Sequence, residues 1–265
     1  MTAPRLLAVN LTKKRDEPET RFNVNRLMNF ITLIVLIFIL MTGGFAMSDV
    51  KEKILMKSET FEIKDYSYLF DKLEGISEKQ LQQHNELYEK YVAKFNEVNN
   101  KLKNVDFSTA NHNYSDYRSL KVELAHNLNG AILHEMYFSN LTADYEEPCQ
   151  ALIDFIEKDF ADWNAYIEDL KAAGMSSRAG WAVTGYNYRT GKISNFIIDQ
   201  HNMHVPAYIK PLLIMDTWEH AFMTDYGTDK KAYIKAFLAN ANWKAMHKRL
   251  NCALETENLL ESSTD

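Results

Sequence analysis

The residues with the clearest chemical potential lie in the stretch MDTWEHAF, residues 215–222, directly after an apolar run. Within eight positions it holds two carboxylates, Asp216 and Glu219, and one imidazole, His220. Carboxylate oxygen and imidazole nitrogen are both common metal ligands in proteins. The stretch therefore predicts a metal site.

Two histidines further upstream can complete such a site. His84 and His134 fall within predicted helices, and together with Asp216 and His220 they supply three nitrogens and one oxygen. This donor set suits iron, manganese or zinc. A single histidine on the apolar side of a helix is more often structural, so the prediction rests on the four residues as a set.

The first half of the chain is predicted to be an antiparallel pair of helices. Ser77 followed by Gln80 forms a capping box, and apolar residues then recur every three or four positions as far as Leu102. The same spacing predicts a second helix from Ser115 to about Asn140. Residues 104–113 are the predicted turn between them.

The second half combines helices with a small sheet. The predicted helices cover residues 148–174 and 229–250, and the predicted strands cover residues 180–188, 192–199 and 211–218, with a hairpin loop at 189–191. The predicted fold class is α+β: an N-terminal antiparallel helix pair followed by an α/β domain with a small three-stranded antiparallel sheet.

Several segments resemble the iron/manganese superoxide dismutase family. DTWEHAF resembles the family signature D-x-W-E-H-A-[YF], and DYGTDKKAYIKAFLANANW resembles its C-terminal pattern. This resemblance implies that Asp216 and His220 are metal ligands. It also implies that Glu219 contacts the last ligand histidine of a neighbouring subunit, with Trp218 beside it.

In the first half, NGAILHEMYFSNL resembles the family's stretch around its second ligand histidine, which implies His134. QQHNELYEKYV resembles the first helix, which implies His84 as first ligand and Tyr91 as the active-site tyrosine. The spacing departs from the family by one residue, and Tyr88 stands where the family has a second histidine. An alignment without a gap would place Gln83 at the ligand position, but amides are poor ligands for these metals.

The resemblance also implies residues around the metal. DFADWNAYIEDLKAAG followed by Gly180-Trp181 resembles the run up to the tryptophan that lines the family's active site, which implies Trp181. A glutamine or histidine outside the ligand set controls solvent in this family. Gly130 occupies one position used for it, so Gln200 or His201 remains, with His201 favoured.

The activity implied is the disproportionation of superoxide at one iron or manganese ion per chain, in a homodimer. Met223 replaces a family tyrosine, so the proton relay between subunits must differ. The alternative is a catalytically weak, superoxide dismutase-like metal-binding or interaction protein tethered to a membrane. A zinc hydrolase is disfavoured because the chain has no HExxH motif.

Charge and hydropathy bear on location. The net charge of the 265-residue chain is −6, and residues 49–265 carry 24 Lys and Arg against 33 Asp and Glu, which argues against a nucleic-acid surface. Residues 27–46 contain no charged side chain, and six cations precede them. They predict a transmembrane anchor or a cleaved signal, with the rest exported to the periplasm or another extracytoplasmic space.

The predicted organisation has six parts: a cytoplasmic segment at 1–26, the apolar segment at 27–46, a linker at 47–60, a helical-hairpin domain at 61–145, an α+β metal-binding domain at 146–255 and an acidic tail at 256–265. Cys149 and Cys252 are either paired or free. The other histidines, His112, His126, His204 and His247, lack partners at ligand spacing and are predicted to be solvated or structural.

Overall fold

A computed structural model of the chain describes residues 60–262. Two long helices come first, α1 (Glu78–Leu102) and α2 (Asp116–Ser139). The elements that follow are α3 (Gln150–Ile156), α4 (Trp163–Ser176), β1 (Gly180–Asn187), β2 (Lys192–Asp199), β3 (Ile209–Asp216), α5 (Met223–Tyr226), α6 (Lys230–Ala239) and α7 (Trp243–Ser262). The predicted α+β class is confirmed.

The two long helices begin at the caps that the sequence predicts. The side chain of Ser77 accepts a hydrogen bond from the backbone amide of Gln80, and Ser115 accepts one from the amide of Arg118. Each bond satisfies an amide that has no partner inside its own helix. The start of α1 packs near the end of α2, with the rings of His84 and His134 5.0 Å apart, so the helices are antiparallel.

The three strands form an antiparallel sheet in the order β2-β1-β3. Trp181 near the start of β1 pairs with Ile198 on one side and with Asp216 on the other. The third strand begins and ends two residues earlier than predicted. Pro211 lies inside it because β3 is an edge strand and Pro211 faces Gly185 at an irregularity of the ladder, where a missing amide is tolerated.

Two predicted helices are each divided. The helix predicted at 148–174 is split into α3 and α4, because Asp162 caps a new helix by accepting from the amide of Ala165. The helix predicted at 229–250 is split into α6 and α7, where Asn242 accepts from the amide of Ala245. The hairpin is also adjusted, since β1 ends at Asn187 and Tyr188 joins the loop.

One continuous apolar core joins both halves of the described chain. Leu212, Leu213, Ile214 and Met215 of β3 are all fully buried, because α2 and α7 pack on the strand. The last residue of β3, Asp216, is buried with them. The division into two domains stays a prediction, and the boundary predicted at residue 255 falls inside α7.

The N-terminal predictions concern residues that are not described. The apolar segment at 27–46 and the segments next to it fall outside residues 60–262 almost entirely. Among the helices within that range, none has the length and apolar character needed to span a bilayer. Cys149 and Cys252 are free thiols at exposed positions.

Candidate metal centre

Four separate elements bring four donor residues to one point. His84 lies on α1, His134 on α2, Asp216 at the end of β3, and His220 in the 3-10 turn that follows. One ligand atom from each residue lies within 4.8 Å of the ligand atoms of the others. The first three side chains are fully buried and that of His220 is 25% exposed.

The carboxylate of Asp216 is the centre of this cluster. Its Oδ2 atom is 3.0 Å from Nε2 of His84, 3.2 Å from Nε2 of His220 and 3.7 Å from Nε2 of His134. Metal–ligand bonds of about 2 Å place neighbouring donor atoms at separations of this order. The cluster therefore has the dimensions of a mononuclear metal site.

An unpartnered nitrogen supports that reading. The Nδ1 atom of His134 donates to the backbone carbonyl of Gly130 at 2.6 Å, so in the neutral ring Nε2 carries a lone pair. This Nε2 is buried without a hydrogen-bond partner. A buried polar atom left unpaired is costly, and a metal ion would satisfy it.

The electrostatics of the site favour neutral imidazoles at His84 and His134 beside an ionised Asp216 carboxylate. Burial lowers the pKa of His84 and lowers that of His134 well below its usual value. Burial alone would raise the pKa of Asp216, but the imidazoles of His220 and His84 outweigh it and lower the pKa. Neutral imidazole and carboxylate are the protonation states that bind metals.

Hydrogen bonds that involve backbone amides and carbonyls hold Asp216 and His220 in place. The Oδ1 atom of Asp216 accepts from the amide of Trp218 at 2.8 Å, and the Tyr233 hydroxyl donates to the Asp216 carbonyl at 2.7 Å. The side chain of Gln80 donates to the carbonyl of His220 and accepts from the amide of Thr224. The prediction used Gln80 only as a capping residue, and the chain distance of 140 residues to His220 concealed this second contact.

Beside the cluster, Tyr91 and His201 form a hydrogen-bonded pair. The Tyr91 hydroxyl lies 2.7 Å from Nε2 of His201, and the ring of Tyr91 is 5.1 Å from that of His134. Trp181 donates through Nε1 to Nδ1 of His201 at 3.1 Å. In the neutral His201 ring, Nε2 therefore carries the proton and donates it to the Tyr91 oxygen.

Burial determines how this pair titrates. It lowers the pKa of His201 to about 4 and raises that of Tyr91 to about 12. Both rings are consequently neutral at physiological pH, and Tyr91 retains its hydroxyl proton.

The alternatives to His201 and His84 lie elsewhere. Gln200 is exposed in the turn after β2, with a φ of 55°. The exposed Gln83 accepts a hydrogen bond from the Thr224 hydroxyl. His84, by contrast, is inside the cluster, because the seven residues to Tyr91 are accommodated by an uninterrupted α-helix.

Tyr88 belongs to the core of the described chain. It is fully buried, its ring lies 5.7 Å from that of Tyr66, and its hydroxyl donates to Glu135 while accepting from the amide of Lys64.

The residues around His220 are more exposed. Glu219 is exposed next to His220, and Met223 is 46% exposed. The Trp218 ring stacks on that of His220 at 5.7 Å.

His126 was predicted to be solvated or structural, and the structure places it against the Tyr91–His201 pair. Its ring is 4.7 Å from that of His201 and 6.0 Å from that of Tyr91. The sequence carries only a weak signal, because His126 lies about two turns before His134 on α2 and is rotated from it by about 80° around the helix axis. Of the other histidines, His112 and His204 are exposed and His247 lies 3.2 Å from the thiol of Cys149.

Fold and site together define a class of protein: a helix pair and a three-stranded sheet that enclose a mononuclear site of three histidines and one aspartate. The family model for the C-terminal domain of iron/manganese superoxide dismutases matches residues 148–249. The chain belongs to the iron/manganese superoxide dismutase family.

The chain aligns with known superoxide dismutases over most of their length. The chain is 41% identical over 194 residues to the iron superoxide dismutase of Aquifex pyrophilus, covering 71% of this chain and 91% of that protein. It is 31% identical over 201 residues to the iron superoxide dismutase of Methanothermobacter marburgensis, covering 74% and 98%. The manganese superoxide dismutase 1 of Halobacterium salinarum is 29% identical over 201 residues, covering 74% and 97%.

Proposed function

We propose that this protein is a superoxide dismutase that converts two superoxide anions and two protons into dioxygen and hydrogen peroxide. The observation that carries the proposal is the convergence of three imidazole nitrogens and one carboxylate oxygen at a buried point next to the Tyr91–His201 pair. The names of the relatives support the same activity and agree with iron or manganese as the metal.

The ligands we assign are His84, His134 and His220 through Nε2, and Asp216 through Oδ2. Together they carry one negative charge, which stabilises a metal cation in a buried site. An iron or manganese ion held by these four residues, one per chain, would supply the one-electron redox chemistry that links the oxidation of one superoxide to the reduction of another.

The Tyr91–His201 pair keeps a proton available at the edge of the site. Trp181 occupies Nδ1 of His201, so the proton on Nε2 is directed at the Tyr91 oxygen. Tyr91 is then free to donate its own hydroxyl proton to a third group. The conversion of superoxide to peroxide consumes protons, and Tyr91 is the donor we assign.

Two tryptophans limit access of water. Trp181 is fully buried, with its ring 5.0 Å from that of His134, and the Trp218 ring is 5.2 Å from that of His201. Large aromatic rings at these positions place apolar surface beside the donors in place of water. The exclusion of water strengthens electrostatic interactions with a bound anion.

The test uses the full-length chain expressed with added iron or manganese. We expect about one metal ion per chain and superoxide dismutation, with both lost in His84→Ala because one of four ligands is removed. Gln83→Ala is the matched control, since Gln83 is exposed on the same helix turn, and it retains both. A chain that binds metal without dismutating superoxide is instead the metal-binding protein of the alternative hypothesis.

We assign Glu219 to a homodimer interface. This residue is exposed next to the ligand His220, where a carboxylate from a second subunit could orient the imidazole. Light scattering of the purified protein should give twice the chain mass, and Glu219→Ala should lower the dimer fraction. A monomeric wild-type protein would refute this assignment.

We also propose that residues 27–46 attach the protein to a membrane or direct its export. Superoxide is charged and crosses bilayers poorly, so an enzyme outside the cytoplasm has a separate substrate pool. Cell fractionation of the full chain should recover activity in the membrane or extracytoplasmic fraction. Deleting residues 27–46 should move it to the cytoplasm, and an unchanged distribution contradicts the proposal.

A further inference from the structure

A thiol and an imidazole are in contact at the surface, apart from the residues of the metal centre. Cys149 directly precedes α3, and its Sγ atom lies 3.2 Å from Nδ1 of His247 on α7. Cys149 is exposed and His247 is half-buried. Neither residue belongs to the four metal donors or to the Tyr91–His201 pair, so the proposed dismutation makes no use of them.

Contacts between the neighbouring segments hold this pair together. The amide of Thr142, in the connection between α2 and α3, donates to the Asn240 carbonyl between α6 and α7 at 2.9 Å. A salt bridge between Glu146 and Lys244 joins the same segments nearer to the thiol. The thiol and the imidazole, 98 positions apart in the chain, therefore meet because the fold pairs the two connections.

The geometry of the pair suits a reactive cysteine. The Cys149 thiol makes no capping hydrogen bond to the amides of α3, so it is available to His247. When the proton of the neutral ring is on Nε2, Nδ1 accepts a hydrogen bond from the thiol. The same nitrogen can take up the thiol proton as sulfur reacts, which is the role of a histidine base beside a cysteine nucleophile.

A second thiol nearby provides an internal comparison. Cys252 is also exposed, and it lines a surface cleft of about 500 Å³ together with His247, Lys244 and Lys248. Within residues 60–262 the Cys252 thiol forms no hydrogen bond. Two exposed thiols therefore flank one histidine, and Cys149 is the one whose sulfur is within hydrogen-bond distance of the ring.

We propose that Cys149 is a site of oxidation by hydrogen peroxide, with His247 as the base that makes it more reactive than Cys252. Sulfur attacks one peroxide oxygen, so that an S–O bond forms and the O–O bond breaks. His247 takes the thiol proton and passes it to the departing hydroxide, which leaves as water. Sulfur is oxidised by two electrons to the sulfenic acid, and peroxide is reduced.

Hydrogen peroxide is the product of the proposed dismutation, which places the oxidant near this thiol. The reaction at Cys149 requires the oxidant alone, whatever its source. Peroxide carries no charge, so the carboxylates of Glu146 and Glu147 beside Cys149 do not repel it.

The experiment adds hydrogen peroxide to the full-length, metal-loaded protein and traps sulfenic acids with dimedone. Peptide mass spectrometry then gives a labelling rate for each cysteine. General-base assistance is typically a hundredfold or more in enzymes, and for an exposed pair we expect Cys149 to react at least about tenfold faster than Cys252. Equal rates would overturn the proposal, because they would show that exposure alone sets the reactivity.

His247→Gln tests the imidazole itself. Glutamine keeps a hydrogen-bond acceptor but cannot take up a proton, so the labelling rate of Cys149 should fall about tenfold, to that of Cys252. The control is His112→Gln, which removes an exposed imidazole from the loop before α2 and should leave both rates unchanged. An unchanged Cys149 rate in folded His247→Gln overturns the proposal. If thermal unfolding shows that this variant does not fold, the comparison of the two wild-type thiols decides.

Superoxide turnover, measured before peroxide is added, separates this proposal from the proposed function. A protein that dismutates superoxide but labels both cysteines equally overturns the proposal for Cys149 alone. A protein that shows the tenfold difference without turnover overturns the proposed function alone.

Discussion

At the residue scale, the absence of a side chain at Gly130 is as important as any ligand. A Cβ atom at this position would lie 2.7 Å from Cδ1 of Tyr91, well inside van der Waals contact. The Gly130 carbonyl also accepts from His134. This glycine therefore allows Tyr91 to pack directly on the backbone of α2, close to His201.

Gly130→Ala should displace the Tyr91 ring and break its hydrogen bond to His201. We expect a loss of about 1 to 3 kcal/mol in the free energy of unfolding, as for other overpacked sites, and a clear drop in turnover. Denaturant titration and superoxide turnover are the measurements. Gly174→Ala is the control, because its Cβ meets the flexible end of Met215, and it should retain turnover.

The His201 side chain has two hydrogen bonds that a glutamine can reproduce. A glutamine oxygen can accept from Trp181 and a glutamine nitrogen can donate to Tyr91. His201→Gln should therefore retain more turnover than His201→Ala, at equal metal content. Equal turnover in the two variants would show that these hydrogen bonds have no part in catalysis.

At the scale of elements, the helix caps position the ligands. Ser115, whose side chain is buried, is the N-cap of α2, and α2 carries both His126 and His134. Its hydrogen bond to the amide of Arg118 satisfies a backbone donor at the helix start. The same hydroxyl accepts from the amide of Asn111 at 3.5 Å, so Ser115 also connects the start of α2 to the loop that precedes it.

Ser115→Ala should lower the free energy of unfolding by about 1 kcal/mol, the usual cost of losing a serine cap. For a chain of this size, the corresponding fall in melting temperature is about 2 to 4 °C. Calorimetry on Ser119→Ala, an exposed position on the same helix, supplies the comparison and should show a smaller shift. Equal melting temperatures for Ser115→Ala and Ser119→Ala would show that the cap has no energetic role.

At the scale of the whole molecule, the metal centre joins the helix pair to the sheet. Two of the four donor residues lie on α1 and α2, and the other two lie at the end of β3 and in the turn after it. A metal ion would bind residues that are separated by as many as 136 positions along the chain. Metal binding and folding are therefore linked.

Removal of the metal should lower the thermal stability of the protein. Binding to the folded state alone stabilises it by about 4 kcal/mol when free metal is a thousandfold above the dissociation constant. Calorimetry before and after chelation should show a large fall in melting temperature that iron or manganese reverses. In His84→Ala, chelation should change the melting temperature little.

The local features of the sequence determined most of the fold. Caps at Ser77 and Ser115, apolar spacing and β-branched runs predicted the long helices and the sheet, because each depends on residues close together in the chain. The divisions at Asp162 and Asn242 were missed because an apolar pattern can continue through a change of helix.

The site was predicted in part. The residue types and the family resemblance singled out all four donors, and the structure brings them together. The choice between His84 and Gln83 and between His201 and Gln200 depended on which side chain points inward, which follows from packing.

What the sequence alone determined is therefore the chemistry: the kinds of donor, their order and the helices and strands that carry them. Only the tertiary structure decided their spatial relations. It placed His126 beside His201, brought Gln80 to the carbonyl of His220, and gave Gly130 its role under Tyr91. The physical reason is that these contacts join residues far apart in the chain, and their geometry is set by the close packing of α1, α2 and the sheet.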